Sequence, residues 1–168
     1  MIQAQHLSDA QRAAMVQRDL SALPPLFHTN IQSGLDECNA SGLDAFVYEA
    51  LRSDALERAY YELGRSVKPP DSPVTNADSA LYSWHGFALA TDIISKSKLW
   101  SAPRQWFEDV AAIMKRHGCD WGGDWLGSMS NDVDHFQFAG MPPSPTARHR
   151  QLYATGGLIS VWQDVGAA

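Results

Sequence analysis

Two short segments restrict the fold of this chain more than any other feature. His85 and Asp92 stand seven residues apart in Ser83-Trp84-His85-Gly86-Phe87-Ala88-Leu89-Ala90-Thr91-Asp92, and Asp132 and His135 stand three apart in Asp132-Val133-Asp134-His135. Neutral imidazole and carboxylate are ligands of a catalytic zinc, which takes three protein groups and leaves one position for water. His85, Asp92 and His135 meet that count, but only in a fold that brings them together. In a straight strand an odd offset of seven puts His85 and Asp92 on opposite faces about 23 Å apart, so the chain must bend between them. Gly86, Ala88 and Ala90 supply small side chains that tolerate such a bend. Residues three apart share a face on a helical turn, which sets the Asp132 carboxylate beside a His135 ligand and separates the role of base from that of ligand. In the strand that follows, His135 and Gln137 face one side, and Phe136 and Phe138 the other.

Each piece taken singly has an ordinary reading. A lone histidine is more often structural than a ligand, and an isolated Asp-x-x-His arises by chance in many chains. The signal lies in the order of three elements: Ser-x-His with Asp seven residues after the His, then Trp121-Gly122-Gly123-Asp124-Trp125, then Asp132 to His135.

Composition narrows the function classes. The chain has 168 residues, 45% of them hydrophobic, and six tryptophans, enough for one compact domain with a substantial core. The net charge of −6 with no run of Lys or Arg excludes the basic footprint of a nucleic-acid binder. Met1 to Leu20 carries Asp9, Arg12, Arg18 and Asp19 and reads as neither a signal peptide nor a membrane anchor. Synthesis in the cytoplasm, with no stable membrane insertion, is the expectation. Cys38 and Cys119 are expected as buried free thiols, since two cysteines make no disulfide scaffold.

The element pattern is mixed. Ser8 and Gln11 form a capping box for a helix whose apolar positions Ala13, Val16, Leu20 and Leu23 run to Pro24. Phe27, Ile31 and Leu35 mark a second helix over Leu26 to Cys38, Ala45 to Tyr48 a strand, and Asp54 to Leu63 a helix stopped by Gly64. An extended Pro-rich loop leads to Ser83. A helix begins near Pro103 and closes at Gly118, Phe136 to Phe138 reads as a strand, and a final helical stretch over Arg148 to Val165 is weakened by Gly156-Gly157. Trp84, Trp100, Trp106 and Trp162 are expected in the core.

With these motifs in order, the chain resembles the zinc D-alanyl-D-alanine carboxypeptidase and L-alanyl-D-glutamate endopeptidase superfamily, which includes many phage endolysins. Ser83, His85, Ala90 and Asp92 match its histidine motif, Arg52-Ser53 its Arg-Ser segment, and Tyr61 to Arg65 its Tyr-x-x-Gly-Arg. Val74 to Ala77 is similar to its lead-in, and Trp121 to Trp125 with His135-Phe136-Gln137 to the end of the L-alanyl-D-glutamate branch. The likeness spans roughly 43–138. Departures are Ala88 in place of glycine, Glu57 in place of glutamine, and Asp134 in place of proline beside His135, which makes Asp134 a rival carboxylate.

The resemblance implies an α+β fold in which a small antiparallel sheet carries the zinc site and helices pack it. Residues 1–138 then form the catalytic domain, and 139–168 a Pro-rich linker with a helical extension packed on it. It also implies Zn2+ held by His85, Asp92 and His135, Asp132 as the catalytic carboxylate, and Arg52 sharing the charge of the tetrahedral oxygen. Ser83, Asp124 and Trp125 are secondary candidates for substrate binding. The implied partner is bacterial peptidoglycan, cut by a monomer at the L-Ala to D-Glu bond of the stem peptide, in the manner of a phage or prophage endolysin that reaches the wall after release. A D-Ala-D-Ala carboxypeptidase or dipeptidase and a non-catalytic zinc-containing wall-binding module are the competing readings.

Overall fold

The computed structural model describes residues 7–68, 72–126 and 131–168; the first six residues, the Pro69-Pro70 part of the expected extended loop and Gly127 lie outside them. The fold is α+β, with five α-helices and one four-stranded antiparallel sheet among the described residues. Its strands are β1 (Ala45–Glu49), β2 (Ala90–Ser95), β3 (Cys119–Trp121) and β4 (His135–Phe138), in the order β1-β2-β4-β3.

Local chemistry sets the helices. In α1 (Asp9–Met15) the Ser8 and Gln11 side chains form the expected capping box. The helix ends at Val16, well before Pro24, and Leu20–Ala22 make a separate 3-10 turn capped by Asp19. The apolar spacing there had suggested a longer helix; the Asp19 carboxylate instead accepts from the Ser21 amide and starts a new turn. In α2 (Pro25–Ala40) a proline occupies the first turn, where no amide partner is lost, and Phe27, Ile31, Leu35 and Cys38 form its buried stripe. Ser53 caps α3 (Asp54–Glu62), with Gly64 at positive φ beyond its end. Val110, Ile113 and Met114 are buried along α4 (Arg104–Arg116), which ends before Gly118 at φ 77°. The last helix, α5 (Ala147–Val165), is broken at Gly157, whose φ of 67° and ψ of −161° leave the helical region.

Helices α2 and α4 cover one face of the sheet, where Val47, Ile93 and Phe136 join Phe27, Ile31, Met114 and both free cysteines in the main core. A second apolar cluster, built from Trp84, Phe87, Leu89, Met141 and Val161, binds α5 to the chain around β2. Because side chains alternate along a strand, Asp92 and His135, next to Ile93 and Phe136, face away from α2 and α4. Among the described residues no helix is long and apolar enough to cross a membrane.

Candidate metal centre

The bend between His85 and Asp92 has three parts. Ser83 opens a 3-10 turn over Trp84–Phe87, its Oγ accepting from the His85 amide at 3.3 Å. Ala88 closes the turn at φ 57°, fully buried, in the left-handed region that glycine enters freely and alanine enters at a cost. The chain then enters β2 at Ala90. Gly86 is required for this path, since a Cβ there would lie 2.1 Å from the Ala80 carbonyl oxygen.

Sheet register supplies the rest. Asp92 on the central strand β2 pairs with Glu49 of β1 and with His135 of β4. A register shift between Val47 and Glu49 brings Glu49 into that row. The Asp132–His135 segment is a turn, with the His135 amide donating to the Asp132 carbonyl at 3.3 Å. Gly122 makes room for it: a Cβ at 122 would stand 2.4 Å from the Asp132 carbonyl oxygen and 3.1 Å from His135 Cβ.

One ligand-type atom from each of His85, Asp92 and His135 falls within 4.8 Å of the others. Asp92 Oδ1 lies 3.1 Å from His85 Nε2 and 3.8 Å from His135 Nδ1. Donors about 2.0 to 2.1 Å from a tetrahedral zinc stand roughly 3.3 Å apart, so the observed spacings bracket that value.

The far ring nitrogens explain which atoms face inward. His85 Nδ1 is 2.9 Å from the Ala50 carbonyl, which can only accept, so that nitrogen carries the proton and Nε2 presents a lone pair. His135 Nε2 lies 3.3 Å from Gln137 Oε1. The Gln137 amide is itself oriented, because its Nε2 donates to the carbonyls of Met141 (3.2 Å) and Pro142 (3.1 Å), leaving the oxygen for His135. His135 therefore turns Nδ1 inward. Burial, then the neighbouring His85, push the His135 imidazole down to about 3, so it is neutral, as a ligand must be. Burial is the largest influence on His85 and works to lower it, but the Asp92 and Glu49 carboxylates together turn the balance upward. Burial would likewise raise Asp92, yet His85 and Arg52 hold it well below the usual carboxylate range. Two inward lone pairs against a carboxylate need a cation or a proton between them, and the donor set fits Zn2+.

Arg52 backs the carboxylate. Its guanidinium donates to Asp92 Oδ2 (3.0 Å), Glu49 Oε2 (2.8 Å) and Glu57 Oε2 (3.0 Å), and its amide donates to the His85 carbonyl at 3.1 Å. Asp92 is thus gripped through Oδ2, with Oδ1 left for the centre. Glu57 also accepts from Thr75 Oγ1 at 2.9 Å, tying α3 to the loop before His85. Glu49 is buried with Oε1 unpartnered, and burial raises its pKa.

These groups open onto a cleft of about 1170 Å³ lined by Arg52, Ser83, Trp125 and Asp132, among others. Asp132 remains exposed at its mouth; surrounding protein, then the charges of Asp92 and Asp134, push its carboxyl up to about 7. The Trp125 ring lies 5.0 Å from that of His135. Asp124 stands apart, exposed and paired with Lys115, and is not among the cleft's lining residues. Trp100 departs from expectation: it is 50% exposed and lines the cleft, because the loop after β2 carries it away from the core.

Residues 76–138 match the family model described as D-alanyl-D-alanine carboxypeptidase. The D-alanyl-D-alanine carboxypeptidase match runs from the loop before His85 through β4, and so contains the three clustered donors and Asp132, while Arg52, Glu49 and Glu57 lie upstream of it. The supporting residues Gln137, Glu49 and Glu57 went unassigned in the sequence. Gln137 had a signal, since it shares a strand face with His135; Glu49 had another, a carboxylate at an inward position of an apolar strand. The Ala50 carbonyl had none, because any residue offers one.

Proposed function

We propose that this chain is a zinc peptidase of peptidoglycan, with Zn2+ held by His85 Nε2, Asp92 Oδ1 and His135 Nδ1. The observation that carries the reading is the convergence of these three atoms inside the segment that matches the carboxypeptidase family. When bound, the ion supplies Lewis acidity and lowers the pKa of water toward about 7.

The chain's own residues do the remaining work. Asp132, exposed at the cleft mouth, accepts the proton of the attacking water and returns it to the leaving amine. Arg52 keeps Asp92 Oδ1 aimed inward and contributes fixed positive charge beside the carbonyl oxygen as it becomes anionic. Ser83 holds the His85 turn through its cap, and Trp125 walls the cleft against the His135 ring.

For the bond cut we favour L-Ala to D-Glu in the stem peptide, on the likeness of Trp121–Trp125 and His135-Phe136-Gln137 to that branch, and an endolysin role follows from it. The match to the D-alanyl-D-alanine carboxypeptidase family favours D-Ala-D-Ala cleavage as the second reading. Digestion of purified sacculi followed by mass spectrometry separates them. New D-Glu amino termini support the first reading, release of D-Ala supports the second, and intact stem peptides with wild-type, zinc-loaded protein overturn both.

A further inference from the structure

Trp100 is exposed and yet held in place. Its indole Nε1 donates to Asp134 Oδ2 at 2.7 Å, and its ring meets Tyr48 edge to face, with centroids 4.5 Å apart. The Arg18 guanidinium covers the Tyr48 ring at 4.8 Å. The loop that carries Trp100 is fastened to Asp44, which accepts from Ser95 Oγ and the Ser97 amide, both at 2.8 Å. Leu99, just before it, sits at φ 51°, a conformation a branched apolar residue enters only when its surroundings impose it. So much anchoring of a half-exposed indole is unneeded for packing, since burial would stabilise the ring more than exposure does. A rigid aromatic face presented to a cleft is instead an economical contact, because little side-chain freedom is lost when a ligand settles on it.

Location gives that face a use. Trp100 lines the cleft together with Asp92 and His135, and its anchor Asp134 precedes His135 in the chain. Tyr48 belongs to one edge strand, β1, and Trp125 follows the other, β3, so aromatic residues stand toward both edges of the sheet. We infer that Trp100, positioned by Asp134 and Tyr48, is a substrate-binding residue that stacks on an uncharged C–H face of the substrate beside the scissile bond. Such a face belongs to a pyranose ring of the glycan or to an alkyl side chain of the stem peptide. Asp134 then acts as the orienter of Trp100, which removes it as a rival to Asp132. The inference rests on the peptidase reading above.

The test uses two substrates, a saccharide-bearing muropeptide and the free stem peptide, with full-length zinc-loaded protein. Trp100→Ala raises KM about tenfold on at least one substrate while kcat stays within about threefold, as loss of a ground-state contact requires. A rise on the muropeptide alone assigns the face to the sugar; a rise on both assigns it to the peptide. Trp100→Phe, which keeps a flat ring, recovers most of the loss. If Trp100→Ala does not fold, Trp100→Leu, which keeps an apolar anchor over Tyr48, is read in the same way. Unchanged KM on both substrates, or a loss confined to kcat, overturns the inference while leaving the peptidase reading intact. A wild-type protein that cleaves neither substrate overturns both.

Discussion

At the scale of single residues, the centre depends on groups that fix protons and lone pairs rather than on the three donors alone. Gln137 has one oxygen facing His135 and an amide locked by two carbonyls, so Gln137→Leu frees the His135 ring and its tautomer. Zinc affinity should fall about 10- to 100-fold, as for other partners of a liganding histidine, in a competition titration with a chelating dye; unchanged affinity would show that the lock is idle. The two carboxylates near His135 separate in kinetics. Among the described residues Asp132 makes no side-chain hydrogen bond, and Asp134 is engaged by Trp100. Asp132→Ala should retain zinc and lose about 10²- to 10⁴-fold in kcat, whereas Asp134→Ala should lose mainly in KM. The reverse pattern would move the base to Asp134. Arg52 is surrounded by three carboxylates in a buried setting. Arg52→Ala leaves those charges uncompensated and should cost about 3 to 5 kcal/mol in chemical denaturation of the metal-free protein; a cost below about 1 kcal/mol, usual for exposed pairs, would contradict the buried network.

At the scale of elements, the turn from Ser83 to Asp92 and the turn from Asp132 to His135 were both legible, but for different reasons. The first had to bend because an offset of seven cannot serve one site from a straight strand, and the small residues showed where. Its left-handed residue is Ala88 rather than Gly86, which the sequence could not tell, since Gly86 is small to admit the Ala80 carbonyl and not to gain positive φ. The strand β3 was not foreseen. Three residues are too few for an alternation pattern, and Cys119–Trp121 becomes a strand only by pairing with β4. That pairing is what brings Gly122 against Asp132. Gly122→Ala should therefore displace the Asp132–His135 turn, lowering stability by about 1 to 3 kcal/mol and reducing activity further than unfolding alone explains. Thermal unfolding and specific activity near wild type would show that the close approach is unimportant.

At the scale of the whole molecule, the α+β class followed from the family resemblance and most helix positions from capping, periodicity and glycine stops, while the strand order β1-β2-β4-β3 did not follow from either, because pairing partners are set by long-range packing. That order places Asp92 on an inner strand between Glu49 and His135, so two of the three donors are built into the sheet, and the 3-10 turn before β2 brings His85 beside them. The exposure of Trp100 was hidden for a similar reason: whether a tryptophan lies in the core depends on where its loop is fastened, here by Asp44 and Asp134. Because the three donors converge only in the folded chain, cation binding stabilises the native state. At zinc 100-fold above Kd the gain is about 2.7 kcal/mol, so chelation should lower the melting temperature by about 5 to 10 °C and added zinc should restore it. The central claim is tested most directly by anomalous diffraction from crystals of the protein at the zinc absorption edge. The account predicts one peak per chain, about 2.0 to 2.1 Å from His85 Nε2, Asp92 Oδ1 and His135 Nδ1; a zinc-soaked crystal with no peak among these atoms, or with zinc bound elsewhere, would contradict it.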